Sequence, residues 1–437
     1  MGNSVGFSNC QNFMKVLVTG GVKARGEGGT DAGTRRADSA CAASREKVCS
    51  RAKLIRLTTV AGSLGGMFKG QLRFLNSAYE VVGVASGKKV LDEISAREGI
   101  RTEHVEMRRE IAPWQDLKSL FALTRLFLRE RPCIVHANTP KGSLLAMWAA
   151  WMTRVPNRIY TVTGLRFETT TGKFRLLLKT MERLTCFFAT KVIPEGDGVK
   201  ATLLRERITH KPMSKILNGN INGIDLEFFK CTPEICARAK EIRHELGATE
   251  DSFVFSFAGR IVRDKGVNEL VRAFSRLQKE LAGTADVKLL LLGDFEDALD
   301  PIADDARAEI FRENSGIFAP GFQSDLRPYY AATDAFVLPS YREGFPNVVL
   351  QAGAMSVPCI VSDISGCNEI IREGENGTII PPRDADALYC AMKRFYDERK
   401  TTLPAMAARS RDLIASRYEQ HAVWDATLEM YRNLTDK

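Results

Sequence analysis

From Lys53 onward the chain runs through one pattern twice, and that repetition limits its fold more than any other feature. Leu54-Ile55-Arg56-Leu57-Thr58-Thr59-Val60 reads as a strand, and the glycine-containing turn Ala61-Gly62-Ser63-Leu64-Gly65-Gly66 follows it. Residues 67–77 then carry apolar Phe68, Leu72 and Leu75 at helical spacing. Further strands are expected at 79–85, 133–136, 158–163 and 191–194, separated by helices over 90–98, 114–131, 141–153 and 173–189. Asn218-Gly219-Asn220-Ile221-Asn222-Gly223 is the strongest turn cluster, and the alternation restarts after it. Strands are expected there at 253–258, 287–292, 335–338, 359–362 and 378–380, with a helix over 267–281. Short apolar strands alternating with helices call for parallel sheets covered on both faces. The chain is therefore expected to be α/β, with two doubly wound Rossmann-like domains, 53–217 and 218–437, facing a central cleft. Open sheets of this kind bind ligands at the carboxyl ends of their strands.

Residues 1–52 do not share the pattern. Between Lys23 and Ala52 the only large aliphatic or aromatic residue is Val48, too little apolar surface to offset the entropy of ordering. The stretch Met14-Lys15-Val16-Leu17-Val18-Thr19-Gly20-Gly21 imitates a dinucleotide-binding strand and turn, but no amphipathic helix follows. A disordered extension is expected. Charge also divides the chain. Residues 53–217 hold 28 basic and 14 acidic side chains, a net of +14, whereas 218–437 hold 26 and 35, a net of −9. A basic half attracts anionic lipid, phosphorylated substrates or nucleic acid. No apolar run reaches the roughly 18 residues of a membrane-spanning helix. The ten cysteines form no CxxC pair and no zinc-type cluster, which predicts free thiols in a reducing, cytoplasmic setting.

Two stretches carry chemistry. Gly259-Arg260-Ile261-Val262-Arg263-Asp264-Lys265-Gly266 lies between a strand and a helix, and places a planar donor fork and a compact cation at the strand's carboxyl end. Arg260 and Lys265 suit a diphosphate. Pro339-Ser340-Tyr341-Arg342-Glu343-Gly344-Phe345-Pro346-Asn347 follows another strand, with a helix expected to begin near Pro346. A helix start there favours phosphate, and Glu343 can accept hydrogen bonds from sugar hydroxyls. Gln351, eight positions after Glu343, can reach ribose hydroxyls or face solvent.

In order and spacing these residues resemble the second half of a retaining glycosyltransferase of the GT-B fold, family 4, of the bacterial surface-polysaccharide type. The resemblance rests on Gly259-Arg260…Lys265-Gly266, Gly293-Asp294, Gly321…Asp325-Leu326-Arg327…Tyr330, Asp334, Pro339-Ser340, Glu343-Gly344-Phe345, Pro358 and Gly366…Glu369-Ile370. It implies that Arg260 and Lys265 hold the donor diphosphate and that Glu343 contacts the transferred sugar. The peptide groups of Gly344, Phe345 and Asn347 would line the phosphate pocket with Gly259, and Gly65 and Gly66 would belong to a close-approach loop facing the donor. Two departures stand out. The family's usual second Glu is Gln351 here, and Thr163 occupies the place of a frequent active-site His. His136 is the nearest substitute for that His.

The resemblance implies transfer of a hexose or N-acetylhexosamine from a nucleotide diphosphate sugar, a UDP-sugar favoured; no Asp-x-Asp motif stands at a plausible strand end, so no obligatory metal is expected, nor a cofactor. The acceptor would be polyprenyl-diphosphate-linked or an oligosaccharide, reached from the cytoplasmic face of an anionic membrane. The last helix is expected to pack back toward the first domain. A sugar-nucleotide epimerase on the same architecture is an alternative. A basic nucleic-acid-binding module is another, although no reader motif or interleaved exposed aromatics support it.

Overall fold

Apolar strand segments become two parallel sheets, as seen in a computed structural model that describes residues 51–436 apart from Leu299. The expectations about residues 1–50, the extension and the 14–21 stretch, lie outside the described residues. In the first half, β1 (Lys53–Val60) leads through α1 (Ala61–Met67) and α2 (Gln71–Asn76) to β2 (Glu80–Ser86), α3 (Lys88–Glu98) and β3 (Arg101–His104). Then come α4 (Pro113–Glu130), β4 (Ile134–Ala137), α5 (Pro140–Met152), β5 (Asn157–Val162), α6 (Gly172–Phe188), β6 (Lys191–Pro194) and α7 (Asp197–Arg205).

The second half opens with α8 (Pro233–Glu245), β7 (Phe253–Ala258), α9 (Val267–Glu280), β8 (Val287–Leu292), α10 (Asp304–Ile310) and β9 (Ile317–Gly321). It continues with α11 (Arg327–Ala331), β10 (Ala335–Leu338), α12 (Asn347–Ala354), β11 (Cys359–Ser362), α13 (Cys367–Ile370) and β12 (Gly377–Ile380). Helices α14 (Ala385–Asp397), α15 (Leu403–Tyr418) and α16 (Gln420–Thr435) close the chain.

The sheet orders are β3-β2-β1-β4-β5-β6 and β12-β11-β10-β7-β8-β9, the same doubly wound arrangement twice. The strand order reverses between β1 and β4 and between β7 and β10, so each half has a switch-point crevice at its carboxyl edge. Every residue of β7 is buried, as expected of a strand covered on both faces. Helix α9 buries Leu270, Val271, Phe274 and Leu277 on one stripe. Helix α16 leaves the second half and packs on the first: Trp424 meets Phe74 at 5.4 Å between ring centres, and Leu428 and Tyr431 join the first-half core.

Four sequence expectations change. The run 61–66 is the helix α1 rather than a loop, and the expected helix 67–77 is interrupted before α2. The edge strands β3 and β9 were not expected. Cys231 and Cys236 form a disulfide, because the chain turns into α8 between them and brings their Cα atoms to 6.0 Å. Cys133, Cys186, Cys359, Cys367 and Cys390 are free.

The fourth change concerns His136, which lies in the core of the first half at 2% exposure. Its Nδ1 meets Tyr431 Oη at 2.6 Å and also the Arg56 guanidinium, while Nε2 lies 2.7 Å from Thr161 Oγ1. Burial, and then the Arg56 charge, hold its pKa well below the ordinary value. A neutral ring accepting at Nδ1 and donating from Nε2 satisfies every partner. His136 thus serves a buried Arg56–Tyr431 cluster that fastens α16 to the sheet. We expect His136→Ala to cost on the order of 3 kcal/mol, since a buried guanidinium loses an acceptor. A fall in the urea midpoint with unchanged kcat per folded molecule would show it. A loss of kcat at unchanged stability would return His136 to the active site.

Candidate active site

The two chemically suggestive stretches meet. Gly259-Arg260 leaves β7 at its carboxyl end, and a single 3-10 turn, Arg263–Lys265, leads to Gly266 and α9. Gly266 has φ +71°, and a Cβ there would come within 2.0 Å of the Pro339 carbonyl oxygen, so no other residue fits. Asp264 ties the loops together: its carbonyl accepts from Tyr341 N at 2.9 Å, and its carboxylate from Arg342 Nη2 at 2.9 Å. Lys265 Nζ is thereby brought onto Glu343 Oε1 as a largely buried ion pair. Arg260 remains mostly exposed and pairs with Glu296.

Beyond Glu343 the chain enters α12, whose N-cap is Pro346 and whose first turn has no side-chain cap. Val349 N donates to the Pro346 carbonyl at 3.1 Å, and the N–H groups of Asn347 and Val348 are left for an anion. Asn347 Oδ1 accepts from Asn220 Nδ2 at 2.8 Å, which fixes this end of α12 to the linker. The Phe345 ring turns into the core against Tyr418, 5.5 Å between centres. Gln351 is half-buried, and its Oε1 accepts from Tyr330 Oη at 3.3 Å.

Gly344 is where the halves touch. A Cβ on it would come within 2.0 Å of the Thr163 carbonyl oxygen and 3.0 Å of Glu195 Oε2, both from the first half. Glu195, at the carboxyl end of β6, is 6% exposed, and among the described residues no hydrogen bond to its carboxyl is present. Burial first, then the charges of Glu369 and Glu343, push it up to about 8. Glu369 bridges the halves too, accepting from Asp197 N at 2.7 Å and Gly198 N at 3.0 Å at the start of α7. Sequence reasoning passed over Glu195; a carboxylate directly after the buried strand 191–194 was the available signal.

The structure does not bring every expected residue here. His136 is in the core. Gly65 packs on α3, where a Cβ would meet Ile94 Cδ1 at 2.9 Å, whereas Gly66 faces open space. The first half carries a different feature on the outer faces of the adjacent helices α4, α5 and α6. Trp114, Leu117, Phe121, Trp151, Phe174 and Phe187 are all exposed there, with Lys118, Arg125 and Arg183 among them. No helix among the described residues is long and apolar enough to cross a membrane.

Comparison with known proteins adds to this geometry. The family pattern described as "Glycosyl transferases group 1" matches residues 252–398, and "Glycosyl transferase 4-like" matches 67–195. A capsular polysaccharide biosynthesis glycosyltransferase of Staphylococcus aureus, CapM, is 30% identical over 382 residues, 87% of this chain and 96% of that protein. An Escherichia coli protein named UDP-Gal:alpha-D-GlcNAc-diphosphoundecaprenol alpha-1,3-galactosyltransferase is 28% identical over 305 residues, 69% of this chain and 76% of its own length. The solved structure of Anabaena Alr3699/HepE in complex with UDP shares the fold, with TM-score 0.71 at 16% identity, covering 88% of this chain and 100% of that one.

Proposed function

The chain belongs to the GT-B glycosyltransferases, and from that premise we propose that it moves a hexose or N-acetylhexosamine from a UDP-sugar to a lipid-linked or saccharide acceptor in surface polysaccharide synthesis. The observation that carries this is the Lys265–Glu343 pair beside the uncapped start of α12. A nucleotide diphosphate placed there meets Lys265, Arg260 across the loop, and the α12 amides. As the sugar–phosphate bond breaks, negative charge grows on the diphosphate, and the α12 amides, with Arg260 released from Glu296 and Lys265 from Glu343, stabilise it. Transfer of Lys265 onto the diphosphate frees Glu343 to accept from hydroxyls of the departing sugar. Retention of anomeric configuration is part of the proposal and follows from the resemblance of Glu343-Gly344-Phe345 to retaining enzymes.

Arg260 and Lys265 supply the positive charge that a metal supplies elsewhere, and transfer without a metal is proposed on that ground. The names of the S. aureus and E. coli relatives support a surface-polysaccharide product, and the E. coli name supports a UDP donor. The net charge of residues 53–217 and the apolar faces of α4–α6 support placement on the cytoplasmic surface of an anionic membrane.

Titration calorimetry with UDP, GDP and ADP in chelator tests the donor site. UDP is expected to bind selectively, and Arg260→Ala or Lys265→Ala to weaken it about 10-fold or more, since a charge-assisted hydrogen bond contributes about 1.5–3 kcal/mol. Wild-type UDP affinity in both variants would overturn the site. Conversion of a UDP-sugar to its epimer without acceptor, followed by NMR, would replace the transferase with the epimerase.

A further inference from the structure

The donor loop's two cations are both held by carboxylates, and the two pairs differ in kind. Lys265 and Glu343 are largely buried, whereas the Arg260 and Glu296 side chains are 57% and 31% exposed. Glu296 lies on the segment after β8, and the contacts of that segment explain why it meets Arg260. Ile261 N donates to the Asp294 carbonyl at 2.9 Å, Arg263 N to the Asp300 carbonyl at 3.2 Å, and Asp264 N to Asp300 Oδ2 at 2.7 Å. Further along, Ala303 N donates to Asn268 Oδ1 at 2.9 Å. At the near end, a Cβ on Gly293 would come within 2.0 Å of the Gly259 carbonyl oxygen. Residues 293–303 are thus laid alongside residues 259–268 from end to end.

Ile261 and Phe295 form a single parallel bridge between the two segments. Ile261 is buried, and Phe295 packs on Phe311, 5.7 Å between ring centres, with the Arg307 guanidinium over its ring. Side chains alternate in extended backbone, so Arg260 and Glu296, one step from that bridge on each segment, emerge together on the opposite side. The neighbouring acids are committed elsewhere. Asp294 accepts from Phe322 N at 3.1 Å, Asp297 pairs with Arg307 at 2.7 Å, and Asp300 pairs with Arg263 at 2.9 Å. Glu296 is the acid of this segment that holds one of the two cations assigned to the donor diphosphate.

UDP release then becomes an exchange of partners. A diphosphate entering the site displaces Glu296 from Arg260 and Glu343 from Lys265. Once the sugar has left, Glu343 can return to Lys265, and Glu296, kept beside Arg260 by its backbone, can return to Arg260. Each return replaces one charge-assisted contact by another, so neither cation is left without an anion. We propose that Glu296 is a positioning residue for product release, which recaptures Arg260 from the diphosphate after transfer and sets how fast UDP leaves. This rests on the donor-site reading above and adds a role for the segment after β8.

The test is stopped-flow displacement of a fluorescent UDP analogue by excess UDP, together with UDP calorimetry, on the full chain and on Glu296→Gln. The variant is expected to release UDP about 3–10-fold more slowly and to bind it correspondingly more tightly, the scale of an exposed ion pair and of the repulsion removed with it. In an Arg260→Ala background the same substitution is expected to change both by less than about 2-fold, because no guanidinium remains to recapture. Asp297→Asn, one position along and paired away from the donor loop, is expected to leave UDP release unchanged. Equal slowing in Asp297→Asn, or undiminished slowing in the Arg260→Ala background, would reduce the effect to general charge and overturn the proposal. Tightening carried by faster association alone would overturn the release role. Unchanged or faster release in Glu296→Gln, with UDP weakened in Arg260→Ala, would defeat this inference alone. Wild-type UDP affinity in Arg260→Ala would defeat the donor-site reading instead.

Discussion

Lys265→Ala is expected to lower kcat/KM for sugar transfer by about 10²–10³-fold, the scale of removing one preorganised charge from a developing oxyanion. The structure says how to separate that effect from simple damage. Lys265 and Glu343 neutralise one another, so removing Lys265 does two things. It takes away a cation and leaves an unbalanced carboxylate facing the diphosphate. Both weaken UDP. Glu343→Gln, in contrast, removes negative charge and leaves Lys265 free, so UDP binding is expected to hold or tighten while kcat falls. The double variant restores charge balance. Its UDP affinity is expected to lie closer to wild type than that of Lys265→Ala, while its kcat stays low. Rates and UDP titrations on the four proteins form a double-mutant cycle. If Lys265→Ala turned over at the wild-type rate, the assignment of the diphosphate to this loop would fail.

What the sequence disclosed depended on how deeply each segment is buried. Strands at the centre of each sheet, such as Phe253–Ala258 with every side chain buried, read as unbroken apolar runs. The unforeseen strands are two of the four sheet edges. β3 is Arg101-Thr102-Glu103-His104, half-exposed, and β9 is Ile317–Gly321 with Pro320 inside it. One edge is charged and the other interrupted by proline, as edge strands that avoid open pairing tend to be. Such segments carry no apolar alternation to detect.

The site divides along a different line. Lys265 and Glu343 are separated by 78 positions, but each follows a recognisable strand, so the topology alone brings them to one cleft. His136, a polar residue ending a buried strand, reads in the sequence as poised for chemistry, whereas the fold buries it. Its partners, Arg56 and Tyr431, come from 80 and 295 positions away and were invisible as a cluster. The same long-range blindness hid Glu195, whose setting is made by Gly344 and Glu369 of the other half.

Glu195 supplies the second large effect. Its carboxyl is raised from 4.5 to about 8 in the fold, by burial and by Glu369 and Glu343. In the unfolded chain it ionises near its ordinary value, so between about pH 4.5 and pH 8 the folded protein holds a proton that the unfolded chain has released. Stability therefore falls as pH rises through that window, by up to about 1.4 kcal/mol per pH unit from this group. The full stability is present below the unfolded pKa and is lost by the time pH passes the folded one. Glu182, raised to about 7, adds a slope of the same sign. Glu130 has the opposite sign, because its pKa, held at about 2 chiefly by Arg101, removes stability only as pH falls below about 4.5.

Glu195→Gln keeps the shape and removes the proton. Urea titrations from pH 5 to 8.5 are expected to give closely matched stabilities at pH 5. By pH 8.5 the variant should be the more stable by several kcal/mol, with Glu182 acting equally in both proteins. The donor couples to the same group. Glu195 lies against Gly344 at the start of the donor loop, so a bound diphosphate further favours its protonated form. UDP affinity is then expected to decline above pH 8 in the wild type and to stay flatter in Glu195→Gln. Parallel stability curves in the two proteins would mean that Glu195 ionises normally and that water reaches it between the two halves.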